Sequence, residues 1–244
     1  MLRQRHESRQ RAIEAVAEPI VQPAGWYPAA KRWSDVTIAS ILLIVLSPLL
    51  ALVAVLIKLD TRGPVFFAQE RVGARRRTDA DGAVDWEIKP FSMLKFRSMV
   101  ANADQSLHES HIRAFVSGTL DLEDEETTIK LHDDPRITRV GKWIRRTSVD
   151  ELPQLINVVK GEMSLVGPRP VPLYEVEGYQ PRHYERLHAI PGITGMWQVE
   201  GRGQVTFEEM VGMDIWYVRN ASFWLDLKII AQTIPAVLRG EGAA

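Results

Sequence analysis

One uncharged run constrains the fold more than any other feature of the sequence. Val36 to Ile57 carries no charged side chain, and a run of this length can cross the hydrocarbon core of a bilayer. It is too long for the apolar part of a signal peptide, and no small-residue cleavage site follows it. The alternative is a helix buried in a soluble core. We expect a membrane segment.

The path of this segment is set by its middle and its flanks. Ser47-Pro48 interrupts the run. Pro48 lacks an amide donor and crowds the carbonyl of Ile44, so a kink is expected, and the Ser47 hydroxyl can satisfy the freed carbonyl. Basic residues flank both ends: Lys31 and Arg32 before the run, and Lys58, Arg62 and Arg71 after it. A helix that bends and returns to the same face explains both features, and a kinked span stays open.

The second constraining feature is a pair of adjacent carboxylates, Asp150 and Glu151. A belt of basic residues surrounds the pair in sequence: Arg139, Lys142, Arg145 and Arg146 before it, and Lys160 and Arg169 after it. Cations can hold an anionic substrate while the acids hold a metal or attack phosphorus. The pattern therefore favours phosphate chemistry. An ordinary capping acid beside a solvated neighbour is the alternative.

A short helix is predicted to follow the pair. Ser148 and Glu151 have capping-box spacing, but with Ser148 as N-cap, Pro153 would remove a hydrogen bond. With Asp150 as N-cap, Pro153 falls where the amide has no helical partner, and we prefer this register. The helix continues over 154–160 and ends at Gly161. Asp150 at its positive end would be favoured in the ionised form.

Composition excludes several classes of protein. The chain has 244 residues and a formal net charge of −1, so one domain of ordinary size is expected and nothing overall indicates nucleic-acid binding. Cysteine is absent, which excludes a disulfide framework and a thiolate metal site. The first 30 residues form a polar lead-in.

Shorter patterns predict the remaining elements. These are strands over Val65–Gln69 and Phe91–Phe96, a charged loop between them, a helix over Ala101–Val116, a strand over Met163–Val166, and a C-terminal apolar part from Phe207 to Leu238. Lys95 and Arg97 are placed on one face of the second strand. The aromatic C-terminal part suits either the bilayer interface or a core helix pair, and Pro235 should end or bend its last helix.

Three loops are candidates for contact with a phosphate or a nucleotide. In Gly167-Pro168-Arg169-Pro170, two prolines fix the backbone around Arg169, so its guanidinium loses less freedom when it grips a phosphate. A rigid surface turn is the alternative. Pro191–Gly195 and Gly201–Gly203 are glycine-rich loops whose backbone can approach a nucleotide closely.

Together these stretches resemble the bacterial sugar transferases, the monotopic phosphoglycosyl transferases that start glycan assembly on a polyprenyl phosphate. The matching pieces run in family order over residues 31 to 238: Lys31-Arg32 with Asp35, Ser47-Pro48, Gly63-Pro64-Val65-Phe66-Phe67 with Gln69 and Arg71, Lys95-Phe96-Arg97-Ser98-Met99, Asp134-Pro135-Arg136-Ile137-Thr138, Ser148 with Asp150-Glu151-Leu152-Pro153-Gln154-Leu155, Val166-Gly167-Pro168-Arg169-Pro170, Pro191-Gly192-Ile193-Thr194-Gly195 and Gly201-Arg202. So many ordered matches are specific, although each alone is weak.

The resemblance implies an activity. A sugar 1-phosphate would move from a UDP-sugar to polyprenyl (undecaprenyl) phosphate, with release of UMP, in the first membrane step of polysaccharide assembly. It implies Asp150 as the nucleophile that forms an aspartyl phosphosugar, with Glu151 assisting and Mg²⁺ bound at the pair through Asp150. Lys95, Arg145, Arg169 and Arg202 fall on positions that line the active site and would hold phosphates. A re-entrant helix broken at Ser47-Pro48 is also implied.

Departures from the family pattern concern fine specificity. Leu94 replaces an aromatic residue, Glu200 stands where a small polar residue is usual, and the loop from Ala74 to Pro90 is long. Met196–Val199 resembles members that handle neutral hexoses such as galactose or glucose. A non-catalytic membrane scaffold and a lipid-phosphate phosphatase are the alternative functions.

The expected architecture is a membrane-anchored mixed chain, α/β in content and α+β in arrangement. We expect a flexible segment over 1–30, a re-entrant helix-break-helix over 31–62, and a catalytic domain over 63–244. That domain would hold a small β-hairpin or sheet, be mostly helical, and carry interfacial amphipathic helices. It would face the cytoplasm from the bacterial inner membrane. A homo-oligomer stays open.

Overall fold

The computed structural model describes residues 25–78, 84–100, 104, 106–119, 134–200 and 205–238. Its α-helices are α1 (Tyr27–Val45), α2 (Ser47–Asp60), α3 (Ser106–Val116), α4 (Arg139–Arg146), α5 (Gln154–Lys160), α6 (Leu173–Val176), α7 (Met196–Glu200), α8 (Phe207–Asn220) and α9 (Phe223–Leu238). The strands are β1 (Phe66–Thr78), β2 (Val84–Phe96), β3 (Ser164–Val166) and β4 (Gly192–Thr194). Short 3₁₀ helices cover Val149–Glu151 and Pro181–Leu187. Mixed helical content with small sheets confirms that part of the expected architecture.

Helices α1 and α2 form one apolar pair with a sharp bend. They meet at Leu46 and are inclined by 62°. The Ser47 hydroxyl donates to the Ile44 carbonyl at 2.8 Å, so the kink and the bond that supports it are both as predicted. Within the described ranges, no helix by itself is long and apolar enough to cross a membrane, but this bent pair passes the test of length and composition.

The pair has a buried side and an apolar side that is exposed. Ala39 and Val53 are fully buried against the rest of the protein. On the other side, Ile44 is 73% exposed and Leu59 is 78% exposed. An apolar surface of this kind normally marks contact with lipid or with another protein.

Strands β1 and β2 form a long antiparallel hairpin that pairs Phe66 with Phe96 and Thr78 with Val84. The predicted pairing of the two strands is confirmed. The predicted charged loop between them is wrong over most of its length, because β1 continues to Thr78 and β2 begins at Val84; residues 79–83 lie outside the described residues. The arginine-rich part of β1 remains in the ladder, where Arg77 pairs with Asp85. The Arg77 side chain also makes a diagonal salt bridge to Glu87 at 2.8 Å.

Strands β3 and β4 pair in parallel, with Val166 opposite Thr194. Pro191–Gly195 was predicted to be a glycine-rich loop, but Gly192–Thr194 form β4, so the predicted conformation is wrong there. The approach of this backbone to a nucleotide stays a prediction. A Cβ on Gly192 would come within 2.1 Å of the Gly167 amide nitrogen. Glycine is required there because two backbones touch.

One core cluster joins the apolar pair to the rest of the protein. Ala39 of α1 packs in one cluster with Leu155 and Val158 of α5, Val166 of β3 and Tyr217 of α8. The C-terminal helices therefore contribute to the core, as one of the two interpretations predicted. They also expose Trp216 and Trp224, two aromatic side chains of the kind that the bilayer-interface interpretation requires on the surface. Helix α9 continues through Pro235 to Leu238, so this proline does not end it.

Candidate active site

The carboxylate pair lies on a tight turn between α4 and α5. Ser148 adopts a left-handed conformation with φ of 55°, and it is the one non-glycine residue with positive φ among those described. Such a conformation stores backbone strain and is common at functional sites. Here it turns the chain from the end of α4 into the 3₁₀ helix that carries Asp150 and Glu151.

Both capping registers predicted from the sequence are wrong. The Ser148 side chain makes no capping hydrogen bond, and α5 begins at Gln154 with Pro153 as its N-cap. Proline fits there because its missing amide would lack a helical partner in any case. Asp150 therefore precedes the helix rather than capping it. The end at Gly161, with φ of 82°, is as predicted.

A cleft opens beside Glu151. The empty volume of the cleft, including the part open to solvent, is about 290 Å³. The residues that line it are Arg71, Met93, Lys95, Glu151, Gln154, Arg169, Pro170, Gly192, Ile193 and Gln198. Three cations and one carboxylate thus share a small volume. Asp150 is not among these lining residues. It occupies the preceding position of the same turn and is 8% exposed.

The predicted residues Lys95 and Glu151 are joined directly. The Lys95 ammonium lies 2.7 Å from Glu151 Oε1, and both side chains are only partly exposed. The ion pair attaches β2 to the turn that carries the carboxylates. It also leaves Lys95 at the wall of the cleft, where a substrate phosphate would meet its charge.

Arg71 is buried in the wall of the cleft, although the sequence patterns did not predict a role for it at the site. Its Nη1 donates to the Pro170 carbonyl at 3.1 Å and its Nη2 to Gln69 Oε1 at 2.6 Å. Burial and the nearby Arg169 lower the pKa of Arg71 to about 10, so the guanidinium stays charged at neutral pH. The predicted strand stopped at Gln69, two residues too early to place Arg71 on the face of Lys95.

Arg169 is held from two sides. The Arg71 bond to Pro170 fixes the turn beside it, and its own guanidinium lies 5.7 Å from the centre of the Trp197 ring. Stacking on an aromatic face orients a guanidinium without using up its hydrogen-bond donors. The predicted rigid presentation of Arg169 is therefore present, with a tryptophan as an added support.

The other predicted residues lie elsewhere. Arg145 is in the last turn of α4, half-buried, and is not among the cleft-lining residues. Arg202 lies outside the described residues. Arg97 does not share the face of Lys95, since β2 ends at Phe96 and the Arg97 guanidinium donates to the Thr61 carbonyl at 2.8 Å. Arg97 thus ties the end of α2 to the hairpin.

Helix α1 contacts the segments on both sides of the site. Arg32 donates to the carbonyls of Val158 and Val159, the last turn of α5. Lys31 donates to the Val166 carbonyl at 3.0 Å, one residue before the Gly-Pro-Arg-Pro turn. Helix α1 therefore holds the helix that follows the carboxylates and the strand that precedes Arg169.

A third contact completes this attachment. Asp35 accepts from the Ser164 hydroxyl at 2.7 Å and from the Leu165 amide at 3.3 Å. Asp226 of α9 accepts from Lys31 at 2.7 Å and from the Tyr217 hydroxyl at 2.7 Å. Buried charges with several partners of this quality fix one arrangement of the groups they join. The position of the cleft is thereby fixed relative to the bent apolar pair.

The cleft brings three cations and one carboxylate together, and helix α1 of the bent apolar pair holds the segments around it. A model of the family described as bacterial sugar transferases matches residues 26–240. The exopolysaccharide production protein ExoY of Sinorhizobium fredii is 43% identical over 214 residues, 88% of each chain. The chain belongs to the bacterial sugar transferase family.

Two further relatives carry more specific names. The undecaprenyl-phosphate galactose phosphotransferase of Salmonella typhimurium is 41% identical over 213 residues, 87% of this chain and 41% of that protein. The undecaprenyl-phosphate glucose phosphotransferase of Komagataeibacter xylinus is 43% identical over 220 residues, 86% of this chain and 36% of that protein. The chain thus spans less than half the length of either. With the family, they identify it as a glycosyl-phosphate transferase.

Proposed function

We propose that the protein transfers a sugar 1-phosphate from a UDP-sugar to polyprenyl phosphate, such as undecaprenyl phosphate, in polysaccharide synthesis, with UMP as the other product. The observation that carries this proposal is the cleft in which Glu151, beside Asp150, faces Arg71, Lys95 and Arg169. Phosphate-rich substrates need such cations. The names of the two phosphotransferases support the same acceptor. A further relative, the UDP-galactose-lipid carrier transferase of Erwinia amylovora, is 43% identical over 213 residues, and its name supports a UDP-sugar donor.

In the first step, a carboxylate oxygen of Asp150 attacks the sugar-linked phosphorus. A bond forms between Asp150 and phosphorus, the bridging bond to UMP breaks, and UMP leaves with the negative charge. In the second step, an oxygen of the lipid phosphate attacks the same phosphorus and displaces the Asp150 carboxylate. The product is a polyprenyl diphosphate sugar. Splitting the transfer in this way is ordinary nucleophilic catalysis.

The cations act on the charge that develops on the departing nucleotide. Arg169, supported by Trp197, and Arg71 supply guanidinium groups that are already oriented, which is the most effective form of electrostatic stabilisation. Lys95 supplies a third charge and, through its ion pair with Glu151, sets the position of that carboxylate. Glu151 then orients the incoming lipid phosphate or accepts its proton.

The donor set fits Mg²⁺. Two adjacent carboxylates are present, and no group of three metal-ligating side chains occurs in the part of the chain that the structure describes. Mg²⁺ typically takes one or two carboxylates and fills the remaining positions with substrate phosphates and water. Asp150, with Glu151 beside it, would hold the ion, which would neutralise charge on the diphosphate.

The helix pair α1–α2 would place this chemistry at a lipid surface. Its arms expose large apolar side chains, and the bend at Leu46 would return the chain to the face it entered. We assign that face to the cytoplasmic side of the bacterial inner membrane, where nucleotide sugars are made. Since the chain has no cysteine, single Ser8→Cys and Arg182→Cys variants can test this. A membrane-impermeant maleimide should label both from the cytoplasmic side only, and labelling of the two from opposite sides would establish a span.

A UMP-release assay tests the activity. Purified protein should release UMP from a UDP-sugar when polyprenyl phosphate is present, and a panel of sugars should favour galactose or glucose. The relatives named for these two hexoses motivate that choice. Asp150→Asn should abolish release, whereas full release by this variant would contradict the mechanism.

The same assay separates the alternatives. A membrane scaffold would release no UMP with any sugar, and a lipid-phosphate phosphatase would release inorganic phosphate without a nucleotide. Direct attack by the lipid phosphate on UDP-sugar is the mechanistic rival. It predicts no exchange of labelled UMP into UDP-sugar without lipid, whereas the two-step mechanism predicts exchange.

A further inference from the structure

A second groove lies at the other end of α5 from the carboxylate cleft. It encloses about 810 Å³ when space open to solvent is counted, and it is lined by Gly73, Ala74, Arg75, Lys89, Phe91, Lys160, Gly161 and Glu162. Gln154, at the start of α5, lines the cleft, and Lys160, at its end, lines the groove. Gln154 and Lys160 are six positions apart in the helix, which is a rise of about 9 Å along its axis.

The groove and the cleft share one face of the β hairpin. Phe91 lines the groove, whereas Met93 and Lys95 line the cleft, and alternate residues of a strand point to the same side. On β1, Arg71 pairs with Phe91 and Gly73 with Lys89, so Arg71 belongs to the same face. The groove therefore extends the basic surface of the cleft toward the Thr78 end of β1.

The groove is lined by three cations and one carboxylate. Among the described residues, Arg75, Lys89 and Lys160 make no salt bridge, while the single lining carboxylate, Glu162, accepts from the Asn157 amide at 2.7 Å. Farther along the hairpin, Arg77 is neutralised by Glu87 at 2.8 Å. The lining residues of the groove thus carry more positive than negative charge. An exposed cluster of cations around a concave surface is suited to an anion.

The position of the groove indicates where that anion comes from. Arg32 of α1 donates to the carbonyls of Val158 and Val159, and its guanidinium would lie 3.3 Å from a Cβ on Gly161. Arg32 is fourteen residues before the bend at Leu46, and Asp60, the end of α2, is fourteen residues after it. Both are then about 21 Å from the bend, so in the re-entrant arrangement proposed above the groove would border the level at which the pair leaves the bilayer.

We propose that this groove binds the headgroup phosphate of an anionic phospholipid, held by Arg75, Lys89 and Lys160. This inference rests on the membrane attachment in the proposed function but not on its chemistry. The polyprenyl phosphate acceptor reacts in the cleft at the opposite end of α5, which leaves the groove to a lipid that is not consumed. A bound headgroup would hold the hairpin against the bilayer and orient the cleft toward its surface.

The test compares lipid binding by three forms of the full-length protein in detergent. The groove variant is Arg75→Gln/Lys89→Gln/Lys160→Gln. The control variant, Arg77→Gln/Arg113→Gln/Arg182→Gln, removes the same charge from exposed arginines that are ion-paired elsewhere. Native mass spectrometry measures binding of dihexanoyl-phosphatidylglycerol and dihexanoyl-phosphatidylcholine, whose ratio cancels the apolar contribution of α1 and α2.

The wild-type protein should bind dihexanoyl-phosphatidylglycerol about tenfold or more tighter than dihexanoyl-phosphatidylcholine, since each cation near an anionic headgroup raises the affinity about fivefold. The groove variant should lose the preference and the control should keep it, with unchanged thermal unfolding in both. An undiminished preference in the groove variant, or an equal loss in the control, would overturn the proposal. Displacement of phosphatidylglycerol by tighter binding of farnesyl phosphate would also overturn the proposal, because it would assign the groove to the acceptor. Equal binding of inorganic phosphate would overturn it as well, because it would assign the groove to a free anion.

The Asp150→Asn protein separates this proposal from the proposed function. That variant should not transfer sugar phosphate, yet it should retain the wild-type lipid preference because the groove residues are intact. Loss of the preference in Asp150→Asn would contradict the independence of the groove from the cleft. An inactive wild-type protein that keeps the preference would contradict the proposed function alone.

Discussion

Arg32 of helix α1 caps the helix that follows the Asp150–Glu151 turn, with its Nη1 donating to the Val158 carbonyl at 2.6 Å. A second nitrogen donates to Val159 at 2.8 Å. These carbonyls lie in the last turn of α5, where cations are also favoured by the helix dipole. The Arg32 side chain therefore couples the position of α5, and with it the carboxylate pair, to the position of α1.

Arg32→Ala should lower both stability and turnover. Two hydrogen bonds from a charged donor are lost at a partly exposed site, so we expect about 2 kcal/mol of destabilisation and a fall in kcat of about tenfold or more. Thermal unfolding in detergent and UMP release measure the two effects. Arg113→Ala, at an exposed ion pair of α3, should change neither. Full turnover in Arg32→Ala would show that the cap does not position the site.

Arg71→Lys should impair transfer with little change in folding. Lysine keeps the charge but cannot hold Pro170 and Gln69 together with two nitrogens, so Arg169 would lose its support. We expect kcat to fall by about 10- to 100-fold. Arg77→Lys on the same strand is the matched control, since Arg77 is 61% exposed. Equal activity of the two variants would exclude a role for Arg71 at the site.

Gly192→Ala should damage the protein at a single backbone contact. The added methyl would meet the Gly167 amide nitrogen at 2.1 Å, which forces β3 and β4 apart and moves the turn that bears Arg169. We expect more than about 3 kcal/mol of destabilisation. In contrast, Gly212→Ala on α8 meets nothing within 4 Å and should stabilise by about 0.5–1 kcal/mol. Denaturant unfolding of both variants checks the contrast, which similar effects would refute.

Stability should depend on the protonation of His108. Burial, with the nearby Arg71 and Arg169, lowers the pKa of His108 from 6.5 to about 4. Between these values the unfolded chain binds a proton that the folded protein does not, so stability is lost as the pH falls through this window. Wild type should therefore lose on the order of 1–3 kcal/mol more than His108→Gln between pH 6.5 and 4. Urea unfolding at each pH measures this, and parallel pH curves for the two proteins would contradict it.

Local sequence patterns predicted several elements well because local chemistry determines them. Pro48 predicted the bend, Gly161 the end of α5, and Pro168 and Pro170 the fixed presentation of Arg169. Each depends on the backbone restrictions of one or two residues. Such restrictions operate wherever the chain is placed.

The errors arose where distant segments decide the structure. The hairpin extends through a run of arginines because each strand supplies the hydrogen bonds of the other, which strand propensity alone does not predict. Gly192 was taken for a loop residue rather than a strand residue because the backbone that it touches, at Gly167, is far away in sequence. Arg71 was missed as a site residue because its neighbours Pro170 and Arg169 lie on another segment. Asp150 was placed on a helix that begins four residues later.

The central claim is that Asp150 bonds covalently to phosphorus, and intact mass spectrometry tests it most directly. Wild-type protein given UDP-galactose or UDP-glucose without lipid should gain the mass of one hexose phosphate. The adduct should map to Asp150, disappear when polyprenyl phosphate is added, and be absent in Asp150→Asn. Wild-type protein that turns over normally with lipid but never gains this mass, even under rapid quenching, would contradict the account.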